Sequence, residues 1–252
     1  MRPPPRRLPL IAILATLAIV GCSKREPPKG GESNVTRLPD VLSYEETPVG
    51  SRDPLVNSIA PALGPWMVLW RHAYPGFAAD SLIRVGVAPA FSGSYTQPLR
   101  DVYPPSKEHV AAFRILSARS PDGRYDLIFD GYQCVEMDGD HVEIGGEPDT
   151  APLLLDLKRK VSTRFDFCGP GSCTHHWGAW ISPATFVLTG TENDERYMGI
   201  RGRVQVYSLR DSTVTTYVTR PLHSTRAAAY RAAWESWVAM RYHATKQVAS
   251  RS

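Results

Sequence analysis

The chain has 252 residues and a formal net charge of +4, with 29 Lys and Arg against 25 Asp and Glu. Residues 1–21 hold three of the arginines and no acid, so the remainder carries 26 basic and 25 acidic side chains. A balance that close to neutral excludes an electrostatic case for a nucleic-acid partner. The remaining length, about 230 residues, suits one domain with a tether or two small domains.

The N-terminus reads MRPPPRRLPLIAILATLAIVGCS. Arg2, Arg6 and Arg7 form a positive head, and Leu8 to Val20 form an apolar run interrupted by Pro9 and Thr16. A run of about thirteen residues matches a signal-peptide core and falls short of the roughly 20 needed for a membrane span. It ends in Ile19-Val20-Gly21-Cys22, which resembles the lipobox of bacterial lipoproteins. The resemblance implies a signal peptide over 1–21, cleavage before Cys22, and lipidation of the Cys22 sulfur and of the new amino terminus. It therefore implies a cell-membrane or outer-membrane location, with the domain on the periplasmic or extracellular side. Ser23 after the cysteine leans toward the outer membrane.

Residues 22–54 are polar and rich in Pro and Gly, which predicts a lipidated flexible tether spanning about 30 Å as coil. A single mainly β domain is expected over 55–252. It opens with a short helical region, LVNSIAPALGPWMVLWRHAY, in which Pro65 supplies a first helical position and Trp66, Met67, Leu69 and Trp70 face the core. LIRVGVAP then reads as a strand.

From Val110 onward apolar residues alternate, as in RYDLIFD, RVQVYSL and STVTTYV. Polar turn residues separate the runs: Pro121-Asp122-Gly123, Asp138-Gly139, Gly145-Gly146 and Arg210-Asp211. The pattern occurs twice, as strand, Ser-Pro turn, strand, insertion, strand, tight turn, strand. Ser120-Pro121 and Ser182-Pro183 mark the two copies, and the insertions run from Gly131 to Ala151 and from Glu192 to Gly202. SPDGRYDLIF and LLLDLKRKVSTRF resemble the blades of TolB-like β-propellers; SPATF in the second copy lacks the Asp-Gly. The resemblance implies a rigid platform for protein contacts and supplies no catalytic residues. Closure of a propeller needs four or more blades, and two are visible. The expected fold is therefore two four-stranded antiparallel blade-like sheets, as a partial propeller or a sandwich. Residues 224–247 predict a C-terminal amphipathic helix with Tyr230, Trp234, Trp237, Val238 and Arg241 on one face. That face meets a sheet or lies on the bilayer.

Candidate sites are few. CGPGSCTHHW, Cys168 to Trp177, predicts a turn stapled by a Cys168–Cys173 disulfide, because exported proteins mature in an oxidising compartment. The alternative is a soft metal site of Cys168, Cys173, His175 and His176; adjacent histidines on a strand point to opposite faces, which counts against it. Four intervening residues rich in Gly and Pro argue against a thioredoxin-like redox pair. Cys134 is left as a buried thiol or a partner for another cysteine. EMDGDHVEIGGEPD reads as a hairpin, with calcium binding by Asp138, Asp140 and Glu143 as the alternative. No nucleophile elbow, P-loop, dinucleotide fingerprint or HExxH motif occurs, and no catalytic residue or cofactor is assigned. The expected function is a membrane-anchored, non-enzymatic binding or scaffold module that meets another envelope protein. The alternative is a metal- or small-ligand-binding lipoprotein using Cys168–His176.

Overall fold

The computed structural model describes residues 47–48, 53–102, 113–138, 141–146, 149–194 and 199–249. The segment read as a signal peptide, Cys22 and most of the segment read as a tether lie outside them, as does the side chain of Cys134. Thr47–Pro48 of that segment form a short strand, β1.

Helix α1 (Pro54–Ala73) starts eleven residues before Pro65, which the sequence reading took as its first position. Asp53 supplies the earlier start: its Oδ1 accepts from the Leu55 N–H at 2.8 Å, and Pro54 needs no donor partner at the first turn. Pro61 and Pro65 ride inside the helix on its exposed side, where the carbonyls they leave unpaired can meet water. The opposite side buries Ile59, Leu63, Trp66 and Trp70, at helical spacing. Asp53 also accepts from the Tyr217 hydroxyl at 3.0 Å, tying the start of α1 to the sheet.

The architecture is mainly β, with two antiparallel sheets packed face to face. The first copy of the repeat is a four-stranded meander: β4 (Ser117–Arg119), β5 (Tyr125–Ile128), β8 (Leu153–Asp156) and β9 (Val161–Arg164). The second is β10 (Cys173–Ser182), β11 (Thr185–Asp194), β12 (Gly199–Ser208) and β13 (Thr213–Val218). Each meander gains strands from the N-terminal region beside its last strand. β3 (Tyr95–Pro98) pairs with β9, giving five strands; β2 (Ile83–Pro89) pairs with β13 and β1 with β2. With β14 (Leu222–His223) on β12, the larger sheet has seven strands.

The turns show why the copies differ in sequence. In the first, Ser120 Oγ donates to Asp122 Oδ1 at 2.6 Å, Asp122 accepts from the Arg124 N–H, and Gly123 takes φ +71°. In the second, Ser182 pairs directly with Thr185, so Pro183-Ala184 closes a two-residue link without Asp-Gly. The insertions also differ. Residues 131–151 carry a separate hairpin of β6 (Gln133–Asp138) and β7 (His141–Gly146), paired Asp138 to His141, one residue on from the reading that placed the turn at Asp138-Gly139. Of the second insertion, residues 192–194 and 199–202 extend β11 and β12 as a ribbon paired to Asp194↔Gly199.

The inner faces meet through aromatic side chains. Phe165 contacts Phe186 and Tyr207, and Tyr125 stacks on Trp180 at 5.8 Å. The outer face of the seven-stranded sheet carries α1 and helix α2 (Ser224–Ala249), which buries Tyr230, Trp234 and Val238 as its periodicity predicts. It packs on α1, β12, β14 and β7. Among the described residues no helix is long and apolar enough to cross a membrane.

Candidate functional site

Strand β10 separates two clusters that the sequence segment CTHHW feeds. Cys168 and Cys173 are paired as a disulfide across the Gly-Pro-Gly-Ser turn, with Cα atoms 5.4 Å apart. Gly171 takes φ +70° in that turn, and the Ser172 N–H bonds the Gly169 carbonyl at 3.1 Å. A bulge in β10 follows His175, which pairs with Gly190, while Trp177 pairs with Thr189. His175 points to the inner face and His176 to the helix side. The four residues of the alternative metal set do not converge as one set: the two sulfurs bond each other, His175 lies beside Cys168, and His176 lies on the opposite face.

On the inner face, Asp166 Oδ2 accepts from His175 Nε2 at 2.7 Å and from Arg203 NH2 at 2.8 Å. His175 Nδ1 lies 2.9 Å from Thr150 Oγ1. Burial alone would push the Asp166 carboxyl up; the bond from His175 and the charge of Arg203 outweigh it and hold it at about 2. Asp166 is thus an acceptor only, so Nε2 of His175 carries the proton and Nδ1 accepts from the Thr150 hydroxyl. Burial, with the Arg203 charge, lowers the His175 pKa and keeps the ring neutral against the pull of Asp166. Thr150, His175 and Asp166 have the order of a hydroxyl-activating relay. They are closed off, however: Thr150 is 5% and His175 2% exposed, and neither borders the cleft on the helix side. The cluster braces the 166–168 loop against β10 and β12. Arg203 NH2 also lies 3.4 Å from Cys168 Sγ.

On the helix side lies a cleft of about 340 Å³. Thr174 and His176 of β10, Thr191 and Asn193 of the β11 extension, and Ile200 of the β12 extension form its sheet wall. Tyr230, Arg231, Trp234 and Glu235 of α2 face them, and Gln133 of the inserted hairpin closes one side. Both departures from the strand repeat thus contribute to its lining. The His176 ring lies 4.6 Å from Trp234, and its Nδ1 is 2.9 Å from the Tyr230 hydroxyl. Burial, with smaller effects of His175 and Arg231, lowers the His176 pKa to about 3, so the ring is neutral. The Tyr230 phenol is pushed up by burial and stays protonated. Its O–H donates to Nδ1, which leaves the His176 proton on Nε2. Thr174 and Thr191 share a hydroxyl–hydroxyl bond at 2.7 Å, and Asn193 bonds the Gly171 carbonyl. Arg231 and Glu235 are exposed.

The cysteine pair and its two histidines were visible in the sequence. Asp166, Arg203 and Thr150 were not, because they reach His175 from three different segments and carry no local motif. Tyr230 and Trp234 were read as a packing face; they pack, and they also line the cleft. No family model, curated protein or solved structure matches the chain, so the chemistry of the cleft is argued from its own residues.

Proposed function

We propose that the chain is a lipid-anchored protein of the cell envelope that binds a ligand or a partner segment in the cleft between α2 and the β10–β12 extensions. The observation that carries the binding reading is the lining itself. Hydroxyl, amide and imidazole groups converge with one exposed cation and one exposed anion in a concave site of about 340 Å³, a size within the range of small-ligand sites. The relay of Thr150, His175 and Asp166 is internally satisfied and buried, which favours binding over hydrolysis. The anchor rests on the lipobox-like residues ending at Cys22. In this reading the ligand site uses Cys173, Thr174 and His176 of the segment singled out in the sequence, without a metal.

Two measurements test it. Metabolic labelling with an alkynyl fatty acid should mark the chain and place it in the membrane fraction, and Cys22→Ala should abolish both. A photoreactive residue replacing Arg231 or Glu235 should give a discrete adduct in cells, while the same group at the exposed Arg210 gives none. Equal soluble and membrane distribution of the two Cys22 forms would remove the anchor. Absence of adducts from both cleft positions would remove the binding reading.

A further inference from the structure

We propose that the Cys168–Cys173 disulfide is a thiol–disulfide exchange site, attacked at Cys173 by the thiolate of a dithiol substrate with Cys168 as the leaving sulfur. The two sulfurs have unlike surroundings. Cys173 is partly exposed and borders the cleft, and the contact of its Sγ with Ser172 Oγ, at 3.9 Å, is open to solvent. Cys168 is 1% exposed, with its Sγ 3.4 Å from Arg203 NH2 and 3.9 Å from His175 Nε2. Exchange needs one reachable sulfur and is accelerated when the other leaves as a stabilised thiolate. Arg203 cannot give up its charge. Asp166 offsets part of that charge, and His175 stays neutral between Asp166 and Cys168. Cys168 thus leaves as a thiolate beside Arg203 and can then take one of the protons released by the substrate.

The backbone allows the bond to open without releasing the strands. Cys168 and Thr150 exchange two backbone bonds at 2.8 and 2.9 Å. Cys173 pairs with Glu192 in the β10–β11 ladder, and Ser172 O accepts from the Asn193 N–H at 3.0 Å. None of these bonds involves sulfur. The five-residue separation closes a small loop, so its entropic contribution to the fold sits at the low end.

The electrons balance as follows. A substrate thiol loses its proton and its sulfur bonds Cys173; the Cys173–Cys168 bond breaks and its electron pair stays on Cys168. The second substrate thiol, also deprotonated, attacks the substrate sulfur of the mixed disulfide, and Cys173 leaves with the next pair. The substrate ends as a disulfide, two electrons have passed to the chain, and the two protons go to the reduced site or to solvent. The inference uses the edge of the proposed cleft but not the anchor, so loss of Cys22 lipidation or of cleft adducts leaves it standing.

The test is equilibration of the folded chain carrying Cys22→Ser with mixtures of reduced and oxidised glutathione. Acid quenching, alkylation and peptide mass mapping then read the 168–173 segment, with circular dichroism in parallel. The bond is expected to open in glutathione while the fold persists. Arg203→Gln should shift the equilibrium toward the disulfide by about tenfold, the loss of one charge-assisted contact to the leaving sulfur. Cys168→Ser should trap glutathione on Cys173, whereas Cys173→Ser should leave Cys168 unmodified. A bond that stays closed until denaturant is added overturns the proposal without any variant. An unchanged equilibrium in a folded Arg203→Gln chain overturns the role of Arg203, and with it the assignment of the leaving sulfur.

Discussion

Single buried charges show most directly what the fold asks of its residues. Asp166, half-buried, lies among donors and a cation, and its carboxyl is held at about 2. Asp130, 1% exposed, has only neutral donors: the Tyr132 N–H at 3.0 Å, and the Gln133 amide and Ala151 N–H at 3.4 Å. Burial therefore dominates and pushes its carboxyl up to about 7. Between the unfolded value, about 3.9, and the folded one, the native state binds more protons than the unfolded chain. The Asp130 contribution is thus fully present below pH about 4 and lost as pH rises to about 7, by at most about 4 kcal/mol. Asp166 has the opposite sign, and its contribution is lost as pH falls from about 4 toward 2. Across pH 4 to pH 8 the neutral buried His175 and His176 act with the opposite sign, so the Asp130 effect is read as a difference: urea midpoints of the native chain should fall relative to those of Asp130→Asn as pH rises. An Asp130→Asn chain with the same slope would mean that the carboxyl is solvated. Neither role was legible in the sequence. Asp130 ends an alternating run and Asp166 precedes a cysteine, and nothing local distinguishes a carboxylate that meets an arginine from one that meets only amides.

At the scale of elements, the junction of β10 and β11 carries the tightest constraint. The bulge after His175 leaves His175 on the inner face and puts His176 and Trp177 together on the helix side, and the Thr174 carbonyl lies against Gly190. A Cβ on Gly190 would sit 1.7 Å from that oxygen, a backbone atom that cannot rotate away. Gly190→Ala should therefore destabilise by about 3 kcal/mol or more, the upper range for overpacking. Gly86, in β2, has nothing within 4 Å of the same position, so Gly86→Ala should change stability by less than about 1 kcal/mol. Equal denaturation midpoints for the two variants would mean that the bulge relaxes. The strands themselves were legible because alternation and turn residues are local. The bulge was not, since TGT and THHW carry no mark of an extra residue. The start of α1 was missed for a related reason. Prolines at 61 and 65 argue against a helix interior, and only the capping by Asp53 and the exposure of both rings make one continuous helix acceptable.

The whole molecule follows from the repeat that the sequence displays. Two meanders, each with a Ser-Pro turn after its first strand, become the two faces of one core, and strands from the N-terminal region extend each. What the repeat could not show is how the copies pack, because that depends on pairs such as Phe165 with Tyr207 and Gly178 with Phe129, distant in the chain. The main buried cluster draws on both sheets and both helices, from Trp66 and Leu127 to Val206 and Val238. The five-stranded sheet has only a small cluster of its own, Phe113, Ile128, Leu153 and Leu155, and the main core is shared, so the two sheets should not unfold in sequence. Tryptophan emission reports α1, β10 and α2, where Trp66, Trp70, Trp177, Trp180, Trp234 and Trp237 reside. Far-ultraviolet circular dichroism reports both sheets and both helices. The two probes should trace one coincident urea transition, the behaviour of a single cooperative unit. A fluorescence transition well before the dichroic one would instead show that α1 and α2 detach as a unit from a stable sandwich. The cleft would then be an opening between parts of unequal stability, and its lining from α2 would be the first structure lost.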